Sequence, residues 1–381
     1  MPSFLFASDS FKGSISSKRA AGLLCAAARE VWPGAELRSV SVADGGEGTV
    51  EALVEALGGE TVVKTVEGPG GPEVQAAYGL LPDRRAVIEM ASSSGLTLLA
   101  PEERNPLVTS TFGTGQLILD ALDRSVSDIS LAIGGSATND GGMGCLRALG
   151  VRFLDGRGNE LAGSGGDLAK VRAIDLAGMD RRVESTGFHV MCDVDNPLLG
   201  TRGAAAVFAP QKGADAAMVA ELEEGMRSYG DILARTFGID ASSEPGMGAA
   251  GGLGIAARLF LRAEVVSGIE HVLDLVGFDR LLDGVDLCVT GEGHADSQSV
   301  HGKVVSGVAR RCRMRGIPCI ALVGAMDASA TELLGCGVSA IVPSVIGSTS
   351  VADAMDHAEQ NFTLAADRVF SLLRIGSGLV H

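Results

Sequence analysis

The chain has 381 residues, of which 46% are apolar and 20% are charged, and its formal net charge is −16. This length is compatible with two globular domains of about 150 residues, and the apolar content is enough for large cores. The negative charge argues against a nucleic-acid partner, because nucleic acids are themselves dense polyanions.

The N-terminal residues and the cysteines are typical of a cytoplasmic protein. The start, MPSFLFASDSFKGS, lacks the basic region and the long apolar region of a secretory signal. No stretch has the roughly 20 predominantly apolar residues of a membrane span, so we expect no membrane partner. The cysteines are odd in number and no pair has zinc-ligand spacing, which favours reduced, mostly buried thiols. They stand at positions 25, 145, 192, 288, 312, 319 and 336.

The N-terminal segment predicts two strand–helix units. An apolar run at residues 3–7 is typical of a buried strand, and an amphipathic helix follows at residues 18–31, with Ser16 or Ser17 as its cap. A second strand is predicted at residues 37–42 and a second helix at residues 49–57. A glycine-containing loop joins each strand to its helix.

The middle of the chain has a different pattern. It opens with alternating stretches at residues 61–66, 74–80 and 86–90, which favour an antiparallel or mixed sheet. The further predicted strands are residues 129–133, 151–154, 188–193 and 204–208. The predicted helices are residues 115–122, 144–149, 216–237 and 252–261.

The C-terminal segment returns to strand–helix units. Its predicted strands are residues 285–290, 318–323 and 339–343, and its predicted helices are residues 304–315, 331–334 and 351–373. Neither end alone has enough strands for a domain, but together they supply five for a parallel sheet. We therefore predict two α/β domains. A flavodoxin-like parallel sheet is formed by both chain ends, residues 1–61 plus 285–381, and residues 62–284 form an inserted mixed α/β domain.

Three loops of the first predicted domain carry polar side chains at the carboxyl ends of strands, where parallel sheets bind ligands. The first loop, ASDSFKGSISS, contains Asp9, Ser10 and Lys12. Amides at a helix start and a nearby ammonium group suit a phosphate, although an ordinary turn with a solvated lysine has the same pattern.

The second loop, ADGGEGT, contains Asp44 and Glu47. Two carboxylates at a strand end suit Mg²⁺, which prefers oxygen ligands. An Asp-Gly turn followed by a glutamate that favours the helix dipole is the alternative.

The third loop, TGEGHADSQSVHGK, contains Glu292, Asp296, Ser297 and Lys303. Because the carboxyl ends of parallel strands meet at one edge of a sheet, the three loops should converge there.

The predicted inserted domain contributes three further loops. IGGSATNDGGMG contains Ser136, Asn139 and Asp140, and its small residues allow a ligand to approach the backbone. CDVDNPLLG contains Asp193 and Asn196, although an Asn-Pro turn would also explain this segment. PQKG contains Lys212.

The sequence gives weak support to the two common nucleotide-binding motifs. GMGAAG at residues 246–251 has the spacing of a dinucleotide-binding loop, but it does not follow a predicted strand, as that motif requires. The sequence contains no G-x-x-x-x-G-K-[ST] phosphate-binding loop. A nicotinamide-dependent dehydrogenase of hydroxy acids therefore stays only an alternative.

Seven motifs occur in an order that resembles the glycerate kinase family, in its bacterial glycerate 2-kinase branch. They are DSFKGS, ADGGEGT, GGSATNDGG, CDVDNPLLG, PQKGA, AAGGLG and GEGHADSQSVHGK. The resemblance covers nearly the whole chain. It implies a kinase that binds ATP with Mg²⁺ and phosphorylates D-glycerate, giving 2-phosphoglycerate in preference to 3-phosphoglycerate. The oligomeric state stays open, with a homodimer as one option. The sequence differs from the family's pattern at His294, where relatives commonly have arginine.

With this resemblance, residue roles can be assigned as expectations. Lys12 and Lys303 would contact the transferred phosphate, since phosphoryl transfer depends on positioning and charge neutralisation. Asp44, Glu292 and Asp193 are candidates for Mg²⁺ ligation or for accepting the hydroxyl proton, with Asp193 as our choice of base and Glu47 as a further metal ligand. The expected binding residues for substrate and nucleotide are Asp9, Ser10, Ser136, Asn139, Asp140, Asn196, Lys212, Asp296, Ser297 and Lys303.

Besides the dehydrogenase, a second alternative to a kinase is a non-catalytic protein that captures sugar acids.

Overall fold

The structure is a computed structural model that describes residues 1–300, 302–345, 347 and 349–378. The strands are β1 Ser3–Phe6, β2 Glu36–Ser39, β3 Glu60–Glu67, β4 Glu73–Leu81, β5 Arg85–Glu89, β6 Asp128–Ala132, β7 Arg152–Leu154, β8 Ala173–Asp175, β9 Gly187–Met191, β10 Glu264–Val266, β11 Leu287–Thr290, β12 His294–Ala295, β13 Cys319–Val323, β14 Ala325–Met326 and β15 Ala340–Pro343.

The helices follow the same chain order. They are α1 Ser17–Val31, α2 Thr49–Leu57, α3 Ala91–Ser94, α4 Phe112–Asp123, α5 Met143–Ala148, α6 Ala204–Phe208, α7 Ala216–Phe237, α8 Ala249–Phe260, α9 Gly268–Leu275, α10 Phe278–Leu281, α11 Val304–Met314, α12 Leu333–Cys336, α13 Val351–Asp356 and α14 Ala358–Gly378. Short 3₁₀ helices lie at Leu96–Leu98, Pro101–Glu103, Gly165–Lys170, Arg181–Ser185, Pro210–Lys212, Ser297–Val300 and Ala328–Glu332.

The chain divides into two compact units. The first unit comprises Met1–Asp44 and Gly268–His381, and the second unit comprises Gly45–Ser267. These divisions differ from the predicted boundaries, because α2 belongs to the second unit and α9 to the first. Helix α2 packs against β4 and β5, and α9 packs against α11.

The first unit is built on a five-stranded sheet with the order β15-β13-β11-β1-β2, in which every neighbouring pair is parallel. The strand order matches that of flavodoxin-like folds. The prediction of a flavodoxin-like parallel sheet from both chain ends is therefore confirmed. Strands β1, β11 and β13 are wholly buried, as expected for the centre of a parallel sheet that helices cover on both faces.

Aromatic residues fill one side of the first unit's sheet. Phe4 and Phe6 of β1 meet Phe370 of α14, with the ring centroids of Phe6 and Phe370 6.1 Å apart. Helices α1 and α14 pack together over this side of the sheet. Helix α1 begins where Ser16 accepts a hydrogen bond from the backbone N–H of Arg19, which confirms Ser16 as the predicted cap.

The second unit contains a six-stranded mixed sheet with the order β10-β9-β6-β5-β4-β3. Strands β3, β4 and β5 are antiparallel to their neighbours in sequence, whereas β5, β6, β9 and β10 run parallel. The mixed α/β architecture predicted for the middle of the chain is therefore confirmed. Two smaller sheets pair β7 with β8 and β12 with β14.

The predicted strand at residues 204–208 is wrong, because these residues form helix α6. Three consecutive alanines favour a helix over a strand. Ala204 and Ala205 are buried where α6 packs against α7 and α8. The single helix predicted at residues 351–373 is also two helices, Val351–Asp356 and Ala358–Gly378.

Within the described ranges, none of the helices combines the length and the apolar character that crossing a membrane requires.

Candidate functional site

The loops that follow β1, β11 and β13 converge because these strands are parallel neighbours in the sheet. The backbone N–H of Asp9, three residues after β1, donates to the carbonyl of Gly291 beyond β11 at 2.9 Å. The N–H of Gly324, directly after β13, donates to the carbonyl of Glu292 at 3.0 Å. These bonds hold the three strand ends together, so the side chains of the loops share one region.

These loops surround a pocket of about 450 Å³, a volume in the range of small-molecule sites. Six residues that the sequence singled out line it: Asp9, Ser10, Lys12, Asp44, Glu292 and Lys303. His294 lines it as well. The pocket therefore brings together residues from all three loops of the first predicted domain.

Two other residues of the third loop do not line this pocket. Asp296 accepts backbone hydrogen bonds from Gln298 at 2.8 Å and from Ser299 at 3.3 Å. It thereby holds the 3₁₀ turn in which the exposed Ser297 lies. The roles predicted for Asp296 and Ser297 in binding stay predictions.

Three carboxylates interact electrostatically in the pocket. Burial, and to a lesser extent the negative charges of Asp44 and Glu292, raise the pKa of Asp9 to about 7 against the opposing effects of the Ser10 N–H and the Lys12 ammonium. Burial also raises the pKa of Glu292, which a hydrogen bond from Ser299 and the charge of Lys303 oppose. The pocket thus concentrates negative charge beside two lysines.

The carboxylates fit a divalent cation. Glu292 is buried, and among the described residues nothing donates a hydrogen bond to its Oε1. A buried carboxylate oxygen normally has a partner, and Mg²⁺ is a partner that prefers carboxylate oxygens. Asp9, Asp44 and Glu292 are therefore the residues that could hold such an ion.

Part of the pocket lining is apolar. The apolar lining residues are Phe11, Ile15, Val345, Val351, Ala354, Met355 and Ala358. A pocket lined by both charged and apolar residues suits a ligand that has a charged part and an apolar part.

Glu47, the predicted partner of Asp44 in metal binding, belongs to the second unit. Its charge acts on Glu89, whose pKa is raised mainly by burial. The carboxylate of Glu89 accepts a hydrogen bond from the N–H of Val50 at 2.7 Å, at the start of α2. Glu47 does not line the pocket of the first unit, whereas Asp44 does.

The second unit has a polar cluster of its own around Lys212, which is buried despite its charge. Its Nζ donates hydrogen bonds to Oγ of Ser136 at 2.7 Å and to the carbonyl of Thr138 at 2.6 Å. Burial lowers the pKa of Lys212 to about 7, and the charge of Asp140 opposes that shift. Lys212 and Ser136, predicted from separate loops, thus lie together.

Asp140 organises the loop that carries these residues. Its carboxylate accepts hydrogen bonds from the N–H and the hydroxyl of Thr111 at 2.8 and 2.7 Å. It also accepts hydrogen bonds from the N–H groups of Gly142 and Gly144, each at 3.1 Å. Burial raises the pKa of Asp140, and these four hydrogen bonds act against that rise.

Asn139 differs from its neighbour Asp140. It is buried, and neither Oδ1 nor Nδ2 has a hydrogen-bond partner among the residues that the structure describes. The hydroxyls of Thr138 and Tyr229 likewise have no hydrogen-bond partner among the described residues. Buried polar groups without a partner are rare, and an ordered water or a bound ligand commonly supplies the missing hydrogen bond. Sequence reasoning missed Tyr229, because a tyrosine inside the amphipathic helix α7 has the pattern of a core residue.

Asp193 and Asn196 lie in the exposed segment after β9. The carboxylate of Asp193 accepts a hydrogen bond from the hydroxyl of Ser267 at 3.1 Å. Nδ2 of Asn196 donates to the carbonyl of Arg202 at 2.7 Å. The roles of Asp193 as base and of Asn196 in binding stay predictions.

The GMGAAG segment precedes and enters α8. Residues 238–248, all of them described, contain no strand. The structural context that a dinucleotide-binding loop requires is therefore missing here.

Comparison with known proteins gives one consistent result. The model of the glycerate kinase family matches residues 4–374. The chain is 44% identical to a glycerate kinase of Halalkalibacterium halodurans over 370 residues, which cover 97% of each chain. It is 41% identical to the glycerate 2-kinase of Escherichia coli strain K12 over 373 residues, 98% of each chain.

A solved structure gives the same answer for the fold. The chain superposes with a TM-score of 0.91 on a crystal structure from Salmonella typhimurium LT2 that is designated glycerate kinase 2. The identity is 42%, and 99% of each chain is covered.

Proposed function

The chain belongs to the glycerate kinase family, and on that premise we propose that it transfers the γ-phosphate of ATP to D-glycerate, giving 2-phosphoglycerate. The observation that carries the choice of product is the similarity over 98% of each chain to a relative named glycerate 2-kinase. Formation of 3-phosphoglycerate is the less favoured alternative. ATP as a co-substrate and the seven free cysteines both suit a cytoplasmic enzyme.

We propose that the pocket of the first unit binds ATP. Its volume of about 450 Å³ suits a nucleotide. The apolar lining residues Val351 and Met355 suit the adenine ring, and the lining residues Lys12 and Lys303 suit the phosphates. Lysine binds phosphate as a point charge, so both ammonium groups would offset the negative charge of the triphosphate.

The acidic side chains of that pocket would hold Mg²⁺. Asp44 and Glu292 supply carboxylate oxygens, and Asp9 lies close enough for their charges to act on it. The bound ion would neutralise charge on the phosphates. Lys12 and Lys303 would orient the transferred group and balance the charge that it carries.

We propose that the second unit binds D-glycerate. The unpaired amide of Asn139 and the hydroxyls of Thr138 and Ser136 offer donors and acceptors for the hydroxyl and carboxylate groups of a small hydroxy acid. Lys212 would position Ser136 and, when protonated, add the positive charge that a carboxylate needs. Asp193 is the proposed base for the hydroxyl proton.

The experiment is an assay of ADP release with ATP, Mg²⁺ and D-glycerate. The wild-type protein should release ADP only when D-glycerate is present. Glu292→Gln removes a buried carboxylate of the proposed ATP and metal site, and kcat should fall by about 10²-fold or more. Glu359→Gln is the control for the loss of one negative charge, because Glu359 lies half exposed in a surface ion pair with Arg19.

Two results would count against the proposal. Glycerate-independent ADP release, or none above background, would remove the kinase assignment. Wild-type turnover in Glu292→Gln would leave the activity in place but would remove this residue from the site.

A further inference from the structure

Three cysteines come together in the first unit, although their spacing in the sequence is not that of a metal-binding motif. Cys288 lies on β11, Cys319 on β13 and Cys312 on α11. Their Sγ atoms all lie within 4.8 Å of one another. We call these three residues the thiol triad.

The parallel sheet places the thiol triad. Cys288 and Cys319 are register partners on neighbouring strands, so their side chains leave the same face of the sheet. Helix α11 packs against both strands and brings Cys312 to that face. All three residues have a relative exposure of 0%.

The spacing of the sulfurs is close to that of a metal site. In a planar three-coordinate site with metal–sulfur bonds of about 2.3 Å, as zinc makes to cysteine, the sulfurs are about 4.0 Å apart. The triad, with its sulfurs within 4.8 Å, would need to contract by less than about 1 Å. Rotation of the cysteine side chains about χ1 can bring the sulfurs this much closer without a change in the backbone.

The composition of the triad selects the kind of ion. Structural zinc sites almost always have four ligands, whereas the group in the described part of the chain offers three sulfurs and no His, Asp, Glu or further Cys. Soft thiolate ligands suit Cu⁺, zinc and iron–sulfur clusters. Because zinc sites and these clusters normally have four protein ligands, three sulfurs favour Cu⁺. Since all three sulfurs are buried, water is a poor source of a fourth ligand.

We propose that the thiol triad binds a single thiophilic metal ion of low coordination number, with Cu⁺ as the physiological candidate. Three S–H protons pass to solvent as three S–Cu bonds form. Sulfur and copper keep their oxidation states.

Burial determines how the ion enters. Since none of the three thiols is exposed, loading requires α11 to separate locally from β11 and β13. Binding should therefore be slow, and its rate should become independent of the metal concentration when opening limits it.

The test is a competition for Cu⁺ under anaerobic conditions, with the ion supplied as its coloured bicinchoninate complex. The folded wild-type protein should remove Cu⁺ from the chelator. Cys312→Ala should weaken this binding by more than the roughly 10–100-fold that the loss of an outer-shell partner costs. Cys145→Ala, which removes a buried thiol of the second unit, and Cys336→Ala, which removes a half-buried one, should bind as the wild type does.

Equal binding by the wild type and Cys312→Ala would overturn the proposal, and so would the absence of transfer to the wild type. If Cys312→Ala does not fold, Cys288→Ala and Cys319→Ala test the same point. X-ray absorption of the loaded wild type gives a readout that needs no variant. It should show sulfur neighbours at about 2.3 Å, and a shell of nitrogen or oxygen would contradict the triad.

Discussion

At the scale of single residues, Asn139 should show opposite effects on binding and on stability. Its buried amide has no partner among the described residues, so Asn139→Leu, which is close to it in shape, should leave the free energy of unfolding unchanged or raise it. The KM for D-glycerate should rise about tenfold, because a substrate hydrogen bond is lost. Denaturant unfolding and steady-state kinetics measure the two effects.

Asp140 provides the matched comparison for Asn139. Its carboxylate accepts four hydrogen bonds, and an amide cannot accept them all. Asp140→Asn should therefore lower the free energy of unfolding by about 1–3 kcal/mol. A loss of stability in Asn139→Leu as large as that in Asp140→Asn would contradict the assignment of Asn139 to substrate.

Lys212 should make stability depend on pH. Burial lowers its pKa to about 7 in the folded protein, whereas an unfolded chain keeps a lysine protonated to about pH 10.4. Between these values the unfolded state binds more protons, so stability rises with pH, by up to about 1.4 kcal/mol per pH unit. The neutral amine still has two N–H groups for Ser136 and the carbonyl of Thr138.

Denaturant unfolding of the wild type and of Lys212→Met between pH 7 and 9 checks this prediction. The wild type should gain stability with rising pH relative to the variant. Lys170→Met, which removes an ammonium that is 59% exposed, controls for the loss of one positive charge. Parallel curves for the wild type and Lys212→Met would contradict the expected deprotonation.

Some residues of the candidate site could be predicted from the local sequence. Asp9, Lys12 and Glu292 were identified because they follow buried strands, and a parallel sheet brings such positions to one edge. Tyr229 and the thiol triad were missed, because their partners are distant in sequence and come from other elements. Contacts of that kind depend on how a helix lies on its sheet, which no local pattern encodes.

At the scale of elements, the turn that enters α8 supports the loop with Asn139. Ala250, Gly251 and Gly252 all have left-handed backbone angles, and the N–H of Gly141 donates to the carbonyl of Gly251 at 2.9 Å. A Cβ on Gly251 would overlap the carbonyl oxygen of Thr138 and lie 2.5 Å from Cα of Asn139. This glycine therefore allows two loops to pack closely.

Gly251→Ala should lower the free energy of unfolding by more than about 1 kcal/mol, since it combines a left-handed backbone with a clash. It should also raise the KM for D-glycerate by shifting Asn139. Gly22→Ala is the control in α1, where an added Cβ meets no atom within 4 Å, and it should stabilise the protein by about 0.5–1 kcal/mol. Similar stability of the two variants would contradict the role given to the turn.

Elements were predictable where periodicity alone decides the structure. The helix predicted at residues 216–237 matches α7, Ala216–Phe237, because its amphipathic pattern is long and ends at Gly238. Residues 204–208 form a helix rather than the predicted strand, because five small and apolar residues carry no clear period. Packing of Ala204 and Ala205 against α7 and α8 decides between the two.

At the scale of the whole molecule, the discontinuous organisation followed from counting strands, since neither chain end alone could form a sheet. The exact division did not follow, because α2 and α9 have apolar faces that could cover either sheet. Their packing against β4 and β5 and against α11 places them. Such choices depend on long-range contacts and not on the sequence within the helix.

The central claim is that this chain phosphorylates D-glycerate at its 2-hydroxyl, and the identity of the product tests it most directly. The protein is incubated with ATP, Mg²⁺, D-glycerate and enolase, without a phosphoglycerate mutase. Since enolase acts on 2-phosphoglycerate, phosphoenolpyruvate should form as fast as ADP. If ADP accumulates and phosphoenolpyruvate appears only after mutase is added, the product is 3-phosphoglycerate and the claim is contradicted.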